Sequence, residues 1–182
     1  MNITPLEIPD VLKIEPRVFG DERGFFLETW SALDFGRAGL DLEFVQDNWS
    51  RSTRGVLRGL HYQLEHTQGK LVRCVSGAVY DVAVDVRSSS PTFGKWVGAL
   101  LSESNKHALW IPPGFAHGFL TMSDTADFQY KCTEIYHPTS ERTIRWDDPA
   151  IGIGWPVEQG MEIQLSDKDR TSAASLSEAT VF

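Results

Sequence analysis

Leu71-Val72-Arg73-Cys74-Val75-Ser76-Gly77-Ala78-Val79-Tyr80-Asp81-Val82-Ala83-Val84-Asp85-Val86-Arg87 is the stretch on which the fold turns. From Tyr80 onward, Tyr80, Val82, Val84 and Val86 alternate with Asp81, Ala83, Asp85 and Arg87. A period of two belongs to a half-buried strand. Leu71–Val75 reads as a second short strand, and Ser76-Gly77 as the turn that makes the two a hairpin. Working outward, Trp96–Leu101, Ala108–Ile111, Gly118–Met122 and Ala126–Tyr136 read as further strands, separated by Pro91, Asn105, Pro112-Pro113-Gly114 and Asp124. Short strands at near-regular spacing, punctuated by Gly and Pro, predict an all-β sandwich or barrel. Helix is confined to Ser31–Ala38, with Ser31 as N-cap and Gly39 ending it, and to single turns at Ser102–Lys106 and Ser166–Arg170. The segment from Thr171 is small and polar and is expected to be loosely held, with Val181-Phe182 able to dock.

The 182 residues suffice for one domain spanning 1–182, with a sizeable core. A composition 41% hydrophobic and 23% charged argues against disorder. A formal net charge of −8 argues against non-specific nucleic-acid binding, which needs a basic surface. It leaves room for an anionic small ligand held by a few arginines. No apolar run approaches the roughly 20 residues of a membrane span. Met1–Asp10 has no basic stretch leading into an apolar one, so a cytoplasmic protein with no membrane partner is expected. Cys74 and Cys132 lie far apart inside apolar runs, and are expected to be reduced, buried thiols.

The chemistry begins at Ile111-Pro112-Pro113-Gly114-Phe115-Ala116-His117-Gly118, a rigid turn followed by a histidine opening a strand. Its Pro112-x-Gly114-x-x-His117 pattern resembles the second motif of cupins, small β-barrels of the jelly-roll type, whose histidine often binds a metal. The first cupin motif ends in a glycine seven residues after a metal-binding glutamate. Gly77 fits that glycine, and Lys70 stands where the glutamate belongs. An ammonium reverses the local charge, and His61-Tyr62-Gln63 supplies one imidazole where two are needed for a metal. His66, in Glu65-His66-Thr67-Gln68-Gly69, reads as a solvent-exposed loop histidine, so no metal and no cofactor is expected.

A pocket holding a histidine, a lysine and a tyrosine suits proton abstraction beside a ketone. Imidazole has a suitable pKa for the base without tuning. Lys70 can stabilise the enolate oxygen, and Tyr130 can deliver a proton from the opposite face. On an unbroken strand Tyr130 and Tyr136 project from one face, and that spacing is equally compatible with core or interface aromatics. Arg58 and His61 differ in parity, so either the strand bends near Gly59 or Arg58 reaches in from the rim.

Gly20-Asp21-Glu22-Arg23-Gly24-Phe25-Phe26, Phe44-Val45-Gln46-Asp47-Asn48, Gly55-Val56-Leu57-Arg58-Gly59-Leu60-His61-Tyr62-Gln63, Gly69-Lys70-Leu71-Val72-Arg73-Cys74, Ser90-Pro91-Thr92-Phe93-Gly94-Lys95-Trp96 and Ile144-Arg145-Trp146-Asp147-Asp148-Pro149 occur in this order. Together with the Gly114–His117 run they resemble the dTDP-4-dehydrorhamnose 3,5-epimerase family, a group of cupin-like sugar-nucleotide epimerases, over nearly the whole chain. The resemblance implies a metal-free jelly roll that inverts C3 and C5 of a dTDP-4-keto sugar, with a single-centre epimerase or ketoisomerase as the alternative and a metal-dependent cupin as the distant one. It implies His61 as base, Lys70 at the enolate, Tyr130 as acid and Asp169 orienting His61, with Asp167 able to fill that last role instead. It further implies Arg23, Phe26, Glu28, Gln46, Asn48, Arg58, His117, Glu141 and Lys168 as substrate-binding residues, Tyr136 stacking on the thymine, and a homodimer that exchanges N-terminal strands.

Overall fold

The structure is a computed structural model that describes residues 1–182. Its strands are β1 (Asn2–Pro5), β2 (Leu12–Glu15), β3 (Val18–Asp21), β4 (Gly24–Leu27), β5 (Gln46–Thr53), β6 (Leu57–Gln63), β7 (Lys70–Ser76), β8 (Ala78–Asp85), β9 (Trp96–Ser102), β10 (Ala108–Ile111), β11 (Phe115–Thr121), β12 (Thr125–Cys132) and β13 (Glu141–Thr143). Two short helices, α1 (Ala32–Arg37) and α2 (Asp167–Thr171), complete the set. All named pairings are antiparallel. A six-stranded sheet runs β1-β2-β10-β7-β12-β5, and a five-stranded sheet runs β13-β6-β11-β8-β9. Packed face to face, they form a sandwich of the jelly-roll type, while β3 and β4 make a separate ribbon.

The expected hairpin over Leu71–Arg87 is not formed. β7 belongs to the six-stranded sheet and β8 to the five-stranded one, so the chain changes sheets at Ser76-Gly77. Gly77 permits this with φ of +73°, packed so tightly that a Cβ would sit 2.1 Å from the Thr125 carbonyl oxygen. Nor is β8 half-buried, because material covers both its faces. Val79 and Ala83 enter the core between the sheets, with Val72, Leu109, Phe119 and Phe128. Val82, Val84 and Val86 face outward into a second cluster, formed with Leu60, Tyr62 and Ile144. Asp81 and Asp85 are consequently buried acids rather than solvated ones.

Each buried acid has partners. Asp85 accepts hydrogen bonds from Arg87, Ser90 and Thr92. Burial alone raises the Asp85 carboxyl, and these bonds outweigh it and bring it down to about 2.

The segment after Thr171 is docked rather than loose. Ala174 bridges to Ile144, the Tyr62 hydroxyl donates to the Thr180 carbonyl at 2.6 Å, and Phe182 exchanges backbone hydrogen bonds with Val86 and Ser88. Val181 and Phe182 thereby cover the outer face of the five-stranded sheet. The opposite outer face is covered by α1, whose Phe35 is fully buried against Ile14, Leu71 and Trp110. α1 starts at the expected N-cap, Ser31, which accepts from the Asp34 N–H.

One irregularity positions the site. His117 pairs with His61 and Phe119 with Arg58, so three steps along β6 oppose two along β11. The extra residue is a β-bulge at Gly59, which has φ of +130°. A Cβ there would lie 2.5 Å from the Gly118 Cα. The bulge reverses parity, and Arg58 and His61 end on the same wall of one cavity. Gly59→Ala is expected to destabilise the protein by about 1–3 kcal/mol or more in urea unfolding, through backbone strain and this clash. A variant as stable as the parent would show that the bulge tolerates a side chain.

Candidate active site

The cavity encloses about 460 Å³ at one end of the sandwich, and His61, Lys70, Tyr130, Asp169, Arg58, His117 and Lys168 all line it. β6 brings Arg58 and His61, β7 brings Lys70, β11 brings His117, β12 brings Tyr130 and α2 brings Lys168 and Asp169. The α2 segment is fixed against β6 by the Leu57 N–H to Gln164 carbonyl hydrogen bond. The helix is opened by Ser166, whose hydroxyl accepts from the Asp169 N–H at 3.1 Å.

Asp169 reaches His61, with Oδ1 2.5 Å from Nε2. Asp167 points fully into solvent. Burial raises the Asp169 carboxyl, and the hydrogen bonds from His61, Ser166 and the Gly59 backbone override it, holding it below the usual carboxylate range. An ionised Asp169 can only accept, so Nε2 of His61 is the donor in this bond. The imidazole is oriented and still partly open to the cavity, with 28% of its side chain exposed.

Three further groups have lost their water. Lys70 is buried, and that desolvation lowers its ammonium pKa against the opposing pull of Cys132, Glu141 and Asp81. Burial pushes the Tyr130 phenol up to about 12, so it keeps its proton through the neutral range. His117 donates or accepts through Nε2 with Asp81 at 2.8 Å. Burial drives both of these toward their neutral forms, lowering His117 and raising Asp81, while their mutual attraction opposes it. Composition and motif did not single out Asp81. Its signal was present in the alternation of β8, where an acid shares parity with the core residues Val79 and Ala83.

The rim holds the polar residues. Arg58 donates Nε to the Ser52 hydroxyl at 3.1 Å, and Lys168 pairs with Glu141. Glu141 also accepts from the Tyr136 hydroxyl at 2.6 Å, a bond that helps push that phenol up to about 12. Tyr136 and Tyr130 do not share a strand, because β12 ends at Cys132. Tyr136 is placed instead by its own N–H, which donates to Gln46 Oε1 at 2.8 Å. Gln46 in turn donates to Asn48 at 3.0 Å, and both share the face of β5 that carries Ser50 to the cavity and Ser52 to Arg58.

Arg23, Phe26 and Glu28 are not brought to this cavity. Arg23 and Phe26 sit on the β3–β4 ribbon, where Arg23 pairs only with Asp21 and Phe26 is 71% exposed, and Glu28 follows it in solvent. The assembled groups set an imidazole against a buried carboxylate, a desolvated lysine nitrogen beside it and a protonated phenol. A reacting carbon placed among them would meet a base, an electrostatic partner for an oxyanion, and an acid.

Residues 5–178 match the family model described as dTDP-4-dehydrorhamnose 3,5-epimerase. The enzyme of that description from Shigella flexneri is 61% identical over 171 residues, covering 93% of each chain. The dTDP-6-deoxy-D-glucose-3,5-epimerase of Legionella pneumophila, solved in complex with dTDP-4-keto-L-rhamnose, gives a TM-score of 0.94 at 52% identity, covering 98% of this chain and 94% of that one. A 3′-monoepimerase of Streptomyces bikiniensis in complex with dTDP-quinovose gives 0.89 at 36% identity, covering 96% of this chain and 87% of that one.

The depressed Asp169 carboxyl has a consequence for stability. Its contribution is complete above the unfolded carboxylate pKa of about 3.9 and is lost as pH falls through the lower folded value. Asp169→Asn is expected to flatten the acid limb of stability below about pH 4 in urea titrations. An acid limb identical to the parent's would mean that Asp169 is not held ionised by His61.

Proposed function

The chain belongs to the dTDP-4-dehydrorhamnose 3,5-epimerase family, and we propose that it converts dTDP-4-dehydro-6-deoxy-D-glucose to dTDP-4-dehydro-L-rhamnose by inverting C3 and C5. The observation that carries this reading is the convergence of His61, bound to Asp169, with Lys70 and Tyr130 in one cavity.

The C4 ketone of such a sugar acidifies the hydrogens at both C3 and C5, so one base and one oxyanion site serve both centres. His61 takes the proton, and Asp169 orients the ring and stabilises the imidazolium that forms. Lys70 faces the enolate oxygen. Being stripped of water, its charge acts at nearly full strength where negative charge appears and needs no solvent reorganisation. Tyr130 returns a proton to the opposite face, a task helped by a phenol whose raised pKa keeps it protonated. Arg58, His117 and Lys168 supply cationic or hydrogen-bonding contacts to the pyrophosphate and sugar, and Tyr136 stacks on the thymine at the rim. No electron is transferred, so the reaction calls for no redox cofactor.

The Streptomyces monoepimerase shares this fold, so a one-centre reaction is the second reading. Turnover in deuterated water separates the two. Label at both C3 and C5 is expected, and label at C3 alone would overturn the double inversion. In the same assay His61→Ala and Lys70→Ala are each expected to lose about 10²–10³-fold or more in kcat.

The active unit in this reading is a homodimer. Supporting it, the β3–β4 ribbon pairs with no other strand and bares Phe19, Phe25 and Phe26 to solvent. Laid across a second copy, the ribbon would carry Arg23, Phe26 and Glu28 to the partner's cavity. Two unpaired thiols and a nucleotide-sugar substrate fit a reducing cytoplasm. Mixing inactive Arg23→Ala chains with inactive His61→Ala chains is expected to restore about a quarter of the parent rate, from the one intact site in each mixed dimer. A mixture with no activity would place Arg23 and His61 in the same subunit's site, and an Arg23→Ala chain active on its own would assign Arg23 no role there.

A further inference from the structure

Beyond the cavity, two imidazoles and a carboxylate converge without any part in the chemistry above. His66 lies in the loop between β6 and β7, and Glu134 and His137 in the segment that follows β12. The two rings stack with centroids 3.8 Å apart and planes 15° from parallel. A ligand atom from each of the three side chains lies within 4.8 Å of the other two.

The backbone around them is held by one buried side chain. Gln63 donates Nε2 to the His66 carbonyl at 2.6 Å and to the Ile135 carbonyl at 3.2 Å, and its Oε1 accepts from the His137 N–H at 2.7 Å. Gln68 adds a bond to the Glu134 carbonyl at 2.8 Å. His66 has φ of +54°, a left-handed conformation that sets its ring against His137. The hydrogen bonds of both histidines run through their backbones, so the rings have only each other. Glu134 spends one oxygen on the Ile135 N–H at 2.8 Å and keeps the other.

Two imidazoles and one carboxylate are the ligand set of a borderline transition ion, and the hard, oxygen-seeking Mg²⁺ and Ca²⁺ are poorly served by it. Around a tetrahedral zinc, bonds of about 2.0–2.2 Å put ligand atoms roughly 3.3–3.6 Å apart. The present ligand atoms lie within 4.8 Å of one another, so reaching that spacing takes a shift of at most about 1.5 Å. Rotation of the exposed His66 ring, which is free of hydrogen bonds, can supply the difference. We propose that His66, Glu134 and His137 form a transition-metal site, with water in the fourth position, that ties the β6–β7 loop to the segment carrying Tyr136. The three ligands lie outside the cavity that His61 lines. It stiffens the rim by cross-linking two stretches that Gln63 already holds side by side.

Isothermal titration of the full-length, EDTA-stripped protein with zinc chloride tests this. One zinc per chain is expected, weakened at least tenfold by each of His66→Ala, His137→Ala and Glu134→Gln, and abolished in the double histidine variant. Magnesium chloride should give no binding. In the parent, zinc should slow amide hydrogen exchange in residues 64–69 and 133–139 together, and it should not do so in the double variant. The substituted side chains lie outside the hydrophobic clusters and the cavity, so circular dichroism and turnover in EDTA should match the parent. Binding below one equivalent, binding that survives in the double variant, or full affinity in Glu134→Gln would overturn the proposal.

Discussion

The absence of room at Gly59 governs the cavity. With the Gly118 Cα pressed against it, residue 59 has no space for a side chain, and only a residue without Cβ sits easily at φ of +130°. A regular β6 would send Arg58 and His61 to opposite faces, one into the sandwich and one out. The extra residue at the bulge lets one strand present a guanidinium and an imidazole to the same volume. It also brings the Gly59 N–H to Asp169, so the bulge that aims His61 helps to hold its carboxylate partner.

Burial then acts on each group according to the charge it carries. For Tyr130 it strengthens the hold on the proton, and for Lys70 it weakens it. Both shifts bring the groups toward neutrality, and for Lys70 the neighbouring Cys132, Glu141 and Asp81 pull the other way. The His117–Asp81 pair lies wholly inside the sandwich and costs desolvation on both sides. What it gives in return is position, since His117 pairs directly across from His61 in the sheet register.

Much of this was legible in the sequence, and the departures share a cause. Alternation identified β8 as a strand, and the turn and cap residues placed α1 and α2 within a residue or two. Alternation reports only which residues are apolar. It does not reveal that polar residues such as Asp81 and Asp85 have partners waiting inside, so a strand buried on both faces passed for a half-buried one. Ser76-Gly77 carries the chemistry of a tight turn, yet the same local conformation serves a hairpin and a crossing between sheets, and long-range contact with Thr125 decides. The end of β12 was hidden because Thr133, Ile135 and Tyr136 all favour strand. In the fold, Tyr136 takes its place from Gln46, which is 90 positions away in the chain. Motif order marked His61, Lys70, Tyr130 and Asp169 for one site. The choice between Asp167 and Asp169 needed the rotation of α2 relative to β6, which no spacing encodes.

The docked segment from Ala174 to Phe182 bears on how the molecule comes into being. It seals the outer face of β8, a surface of Val82, Val84 and Val86 that is complete by residue 86. During synthesis that apolar face lacks this final cover until about 90 more residues have been added, an interval of roughly 5–20 seconds at typical elongation rates. A growing chain therefore carries this valine surface without its last cover for about half of its time on the ribosome. Its exposure to chaperones and to neighbouring nascent chains is set by translation speed rather than by the stability of the finished sandwich.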